Sequence, residues 1–120
     1  MSRTHIGGDA IDRQTMTASL PVSSDTPVKR LAGAMWKFHG EGYRVDLRAM
    51  GAGAVSQAVK AVIIARMMAS AKGQEIYVVP TFQVDSIGGV ERTLIRFFII
   101  VQSIISNVPI PKPVTGVGDV

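Results

Sequence analysis

The residues of this chain that could do chemistry are mostly glycines and cations. The stretch Arg48-Ala49-Met50-Gly51-Ala52-Gly53-Ala54-Val55-Ser56-Gln57-Ala58-Val59-Lys60 sets a Gly-x-Gly directly ahead of an apolar run. Such a pair at a helix start suggests a cradle for a pyrophosphate, a tight strand-to-helix turn, or an edge where backbone amides meet an anion. A dinucleotide fingerprint needs a third small residue for close packing and an acid about 20 residues later for the ribose. Ser56 stands at that third position, and the nearest acid is Glu75, past the end of the apolar run. A Walker A loop is excluded, since no Gly-Lys-Ser/Thr occurs. A turn remains, with glycine permitting the positive φ a reversal needs. The amides left free at a helix N-terminus beside Arg48 keep an anion-binding role open.

The catalytic inventory is short. His5 lies in the N-terminal segment, and His39 sits at a helix end, where imidazole more often meets free carbonyls than does catalysis. No histidine pair has ligand spacing, and no carboxylate pair stands out. The chain has no Cys, which removes disulfides, thiolate ligands and thiol nucleophiles together. Ser56 has no His nearby and reads as a cap for the second helix. No enzyme activity, metal or cofactor is expected. Trp36 and Phe98 could stack on a base, with packing as the plainer role. Arg92 and Arg96 alternate on the last strand and share a face with Leu94 and Phe98, as a basic stripe or as a solvated strand face.

The elements that position these residues follow from periodicity. Thr15 to Val22 alternates, with Met16, Ala18, Leu20 and Val22 on one side, so a half-buried strand is expected. Pro21 marks its end as an edge or bulge. Thr26 is a good N-cap and Pro27 suits a first helical position, so a helix runs from about Pro27 to His39, stopped by Gly40. Val28, Leu31, Met35 and Phe38 line one face. Tyr43, Val45, Leu47 and Ala49 alternate with Arg44, Asp46 and Arg48 in a second strand. A second helix spans about Ala54 to Ala71, closed by Lys72-Gly73. It is apolar nearly all round, so it must be covered on more than one face, which points to a partner subunit. Gln74 to Val84 is a third strand, Asp85 to Gly89 a turn, and Glu91 to about Val101 a fourth strand completing a long hairpin.

The predicted order is β-α-β-α-β-β: an α+β, two-layer sandwich with both helices on one face of a four-stranded mixed sheet. Residues 1–14 read as a flexible tail, 15–102 as one domain, and 103–120 as an extended segment with Pro and Gly. No run of about 18 uncharged apolar residues occurs, and no apolar core of a signal peptide follows the first basic residues. A cytoplasmic protein with no membrane contact is expected. The formal charge is +4. Between residues 28 and 102 ten Lys or Arg face five acids, so the folded part carries the positive charge and permits anionic partners.

Three blocks carry a family resemblance: Leu31 to Met35, Ala49 to Val62 with Ile64-Ala65-Arg66, and Glu91-Arg92-Thr93. Together they resemble the bacterial stage V sporulation protein S family, over about Pro27 to Ile100. That family is similar in turn to the Alba superfamily of small, basic, dimeric nucleic-acid-binding proteins. Their strand-to-helix block A-R-G-x-A-I-S-K-A-V is similar to Ala49 to Val59, with one extra small residue here. Met50 stands where Alba proteins carry Arg, and the loop before the first helix holds Asp25 where a cation would help. Lys29 and Arg30 follow one turn later.

The resemblance implies a non-enzymatic, regulatory or architectural protein that binds DNA or RNA without strong sequence preference, as a homodimer or higher homo-oligomer. Lys29, Arg30, Arg48, Lys60, Arg92 and Arg96 are the expected phosphate contacts, with Gly51 and Gly53 letting backbone approach closely. The alternative is an assembly module with little or no nucleic-acid binding. It rests on the apolar second helix and on a last strand that would outrun its partner and offer an edge to another chain.

Overall fold

A computed structural model describes residues 10–104 of the 120. The segment 1–9 and most of the C-terminal extension lie outside the described residues. The elements are β1 (Ala10–Asp12), β2 (Thr17–Val22), α1 (Val28–Gly40), β3 (Arg44–Ala49), α2 (Ala52–Ser70), β4 (Gln74–Ile87) and β5 (Val90–Ser103). They form an α+β fold with one mixed five-stranded sheet in the order β1-β2-β3-β5-β4. The expected β-α-β-α-β-β order is present with one strand added.

That added strand lies in the stretch expected to be a loose tail. β1 pairs antiparallel with β2, Ala10 opposite Ser19 and Asp12 opposite Thr17. No glycine makes the turn. Asp12 Oδ1 accepts the backbone N–H of Gln14 at 2.9 Å and of Thr15 at 3.2 Å. An aspartate bonding amides two and three residues on builds a turn from its side chain.

β2 and β3 run parallel, from Thr17 opposite Arg44 to Val22 opposite Ala49, with α1 as the crossover between them. β3 pairs antiparallel with β5, and β5 with β4 along the whole hairpin from Gln74–Ser103 to Ile87–Val90. The hairpin turn is shorter than expected. Gly88 and Gly89 alone make it, both at positive φ (58° and 78°), as a two-residue hairpin turn requires. β5 ends opposite the first residue of β4, so among the described residues it does not outrun its partner. Residues 105–110, the rest of the Ile99 to Ile110 segment expected to outrun the partner strand, lie outside the described residues.

Both helices pack on one sheet face. Their Leu31, Ala32, Met35, Ala54, Ala58, Ala61, Ala65 and Ala69 share a core with Ala18, Leu20, Val22, Val45, Leu47, Ala49, Ile76 and Phe97. Five alanines at spacings of three and four let α2 lie close to its neighbours. They also explain its composition: by length and hydropathy α2 could cross a bilayer, yet its alanine stripe is wholly buried inside the core. Its opposite side stays exposed at Val59, Ile63 and Met67.

Helix ends differ in detail from expectation. Pro27, not Thr26, is the N-cap of α1, and no side chain caps it. The Thr26 hydroxyl instead accepts the Ser23 amide at 2.8 Å within the loop. Gly40 belongs to α1, and Gly42 (φ 90°) makes the reversal into β3. Ser56 caps nothing: it is exposed inside α2, whose N-cap is Gly51.

Candidate functional site

The parallel pair β2 and β3 decides where the candidate site lies. Parallel neighbours end at the same edge of a sheet. Each of these two continues into a helix, so the N-termini of α1 and α2 open at that edge. The first amides of any helix lack intrahelical partners and carry the positive end of its dipole. Neither helix start has a side-chain cap, and neither has an acid in its first turn.

The two glycines of the Gly-Ala-Gly turn do different work. Gly51 is exposed, with φ 92° and ψ 159°, a region open to glycine and strained for other residues. Gly53 has ordinary helical backbone but no room for a side chain. A Cβ there would lie 2.8 Å from the Ser24 Cβ. The β2–α1 loop therefore lies directly on the first turn of α2. Gln57 fastens it, donating from Nε2 to the Thr26 carbonyl at 2.8 Å.

Three of the expected phosphate contacts belong to this edge. Lys29 and Arg30 are exposed in the first turn of α1, directly after the loop that Gln57 holds. Lys60 is exposed on α2, three residues beyond Gln57 and hence its neighbour on the helix surface. Asp25 is the one acid in the loop between β2 and α1, and it is exposed.

The other expected cations are elsewhere. Arg48 and Arg96 are directly opposite across the β3–β5 ladder, on the sheet face without helices. Arg48 is buried, with Nη2 3.5 Å from the Ser19 carbonyl. Arg96 donates from Nη2 to Asp46 Oδ2 at 2.9 Å and from Nη1 to Gln83 Oε1 at 3.4 Å. The other oxygen of Asp46 accepts the Ser19 hydroxyl. Arg96 also lies over the Phe98 ring, 4.7 Å from its centroid, which accounts for Phe98 on this face. The solvated strand face expected for Arg96 is thus a buried polar network. Asp46 is 3% exposed and Ser19 8%. Arg92 is exposed near the hairpin turn, opposite Asp85.

This network floors a polar hollow of about 730 Å³ on the helix-free face, between β1 and the hairpin. Asp12, Asp85 and Arg13 also line it, so charges of both signs meet there. The Asp12 carboxyl is held below the usual carboxylate range, chiefly by the Thr15 and then the Gln14 amide. Sequence reasoning missed the Ser19–Asp46–Arg96 set because its members lie on three separate strands.

A second ion pair joins α2 to β4. Arg66 donates to Glu75 from Nε (2.7 Å) and from Nη2 (3.0 Å). The bond from Arg66 is the main reason that the Glu75 carboxyl sits below its usual value, with the Ile76 amide at 2.9 Å adding to it against a desolvation cost.

Compared with known families, the chain matches the sequence model of the Stage V sporulation protein S family over residues 18–102, well over half its length. The match takes in both helices, the Gly-Ala-Gly turn and most of the sheet.

Proposed function

As this chain belongs to the Stage V sporulation protein S family, we propose that it is a sporulation-related regulatory protein that acts by holding nucleic acid through the sugar-phosphate backbone. The family supports the regulatory role. The binding surface is the edge where α1 and α2 begin. One observation carries this reading: parallel β2 and β3 bring two uncapped helix N-termini together, free of first-turn acids. Lys29 and Arg30 are exposed at that edge, and Lys60 is exposed about two turns along α2.

Gly51 leaves the backbone bare at the edge, and Gly53 lets the loop close onto α2. Arg48 and Arg96, engaged within the sheet, hold β2, β3 and β5 together instead of contacting phosphate. Such a site reads charge and spacing, so little base preference is expected. The test is fluorescence anisotropy of the full chain with a labelled DNA duplex and a single-stranded RNA across a salt series. Binding that weakens steeply with salt supports the reading. No binding at low salt removes it.

A second reading rests on the exposed apolar side of α2. Val59, Ile63 and Met67 are each about half exposed (45%, 48% and 52%) and follow one another at spacings of four. A stripe of this kind suits a second copy of the chain. Self-association would place two of the cationic edges on one nucleic acid, so the two readings are compatible.

A further inference from the structure

Four apolar side chains stand on the sheet face that carries no helix. Tyr77 lies opposite Ile100 and Val79 opposite Phe98 in the β4–β5 ladder, and Phe98 lies opposite Asp46 of β3. Their chain neighbours Ile76, Val78, Ile99 and Val101 pack on the helix side, in or against the core, so these four face the other way. Each of the four is 38–52% exposed. A contiguous exposed apolar patch marks an interaction site.

The surroundings of the patch say what fits it. Tyr77 touches no other ring, and its hydroxyl makes no hydrogen bond among the described residues. The Phe98 ring is braced by the Arg96 guanidinium, 4.7 Å from its centroid. Tyr77 and Phe98 are diagonal neighbours in the ladder. Such neighbours lie about 7–8 Å apart, a separation that two adjacent nucleotides of an unstacked strand can span. Arg44 is on the same face of β3, two residues before Asp46, and it is exposed with no ion-pair partner among the described residues. The nearest acids along these strands are occupied: Asp46 by Arg96 and Ser19, and Glu75 by Arg66.

Exposed aromatic rings on a sheet, with an unpaired cation beside them, suit bases that stack and a phosphate that follows. A second copy of the chain fits less well. Beyond the four side chains this face turns polar at Thr81, Gln83 and Arg96, whereas a stable subunit contact takes about 20–30 residues a side.

We infer that this face stacks unpaired bases of a single-stranded nucleic acid on Tyr77 and Phe98, with Arg44 on a neighbouring phosphate. A duplex keeps its bases inside and offers none to the rings, so the face selects single strands. The inference goes beyond the backbone-holding edge and shares no residue with it. Duplex binding without stacking would leave the edge reading standing alone, and stacking without duplex binding would leave this one.

The full chain is mixed with a short single-stranded RNA carrying 5-bromouridine and irradiated, and the cross-linked residues are mapped by mass spectrometry. Cross-links are expected at Tyr77 and Phe98. Anisotropy then compares the parent with Tyr77→Ala and Tyr77→Phe, on the same RNA and on a DNA duplex. Loss of one stacked base should weaken the RNA about tenfold in Tyr77→Ala, while Tyr77→Phe keeps the ring and the affinity. Duplex affinity should be the same in all three proteins. Because Tyr77 is exposed, both variants should melt like the parent, which calorimetry checks. Three results overturn the inference: cross-links confined to residues off this face, an RNA affinity unchanged in Tyr77→Ala, or an equal loss for RNA and duplex. A second copy of the chain, or its own residues 105–120, covering the face would give the first of these, since the RNA could not reach the rings.

Discussion

Arg96 reaches Asp46 diagonally across the β3–β5 ladder, with Nη2 and Oδ2 2.9 Å apart, and the carboxylate is 4% exposed at its side chain. The sequence places Arg96 on an outward strand face, where it reads as a phosphate contact. Its partner turns it into a structural cation. Removing it would leave a buried carboxylate with only the Ser19 hydroxyl. Arg96→Ala should therefore cost about 2–3 kcal/mol in urea unfolding. The salt dependence of nucleic-acid binding should be the same in the variant as in the parent under conditions where both are folded.

Gly33 in α1 and Gly53 in α2 should respond in opposite directions. Gly33 is exposed in α1 with nothing within 4 Å of an added Cβ. Gly33→Ala should stabilise the fold by about 0.5–1 kcal/mol through helix propensity. Gly53→Ala must move Ser24 and the loop it belongs to. It should destabilise by about 1 kcal/mol and weaken nucleic-acid binding. Thermal melts of the two variants side by side check the signs.

Acid stability should depend on Glu75. Its folded-state carboxyl is depressed below the ordinary 4.5, first by the bond from Arg66. A depressed carboxylate contributes stability in full above its unfolded value, and the contribution is lost as pH falls through the folded value. The parent should therefore lose stability below about pH 4.5 more steeply than Glu75→Gln, measured as melting temperature from pH 7 to pH 3. Asp12 is depressed as well, so the variant's profile should flatten only in part.

If the exposed side of α2 mates two copies, charge placed on it should separate them. Ile63→Lys with Met67→Lys should move the sedimentation coefficient towards that of a monomer. The core-facing alanines are untouched, so the circular dichroism spectrum should be unchanged. A parent that sediments as a monomer at every concentration removes the second reading.

The layout was legible where apolar periodicity is strong. The alternation of Val45, Leu47 and Ala49 and the helical spacing of Leu31 and Met35 follow directly from burial of one face. So did the need for Gly51 at a positive-φ reversal. Tertiary partners were not legible. Asp46 and Arg48 alternate with apolar residues as surface charges do, yet both are buried because Ser19 and Arg96 meet them from neighbouring strands. β1 escaped because a side-chain turn at Asp12 left no glycine signal. Gly53 looked like a second turn glycine, and only the approach of Ser24 shows that its need is space.

The most direct measurement is a ¹⁵N amide chemical-shift titration of the full chain with a short DNA duplex. The account expects the largest changes at Val28, Lys29 and Arg30 and at Gly51, Ala52 and Gly53, with the Ser19, Asp46 and Arg96 amides unmoved. Changes centred on the helix-free sheet face, with the two helix N-termini silent, would contradict it.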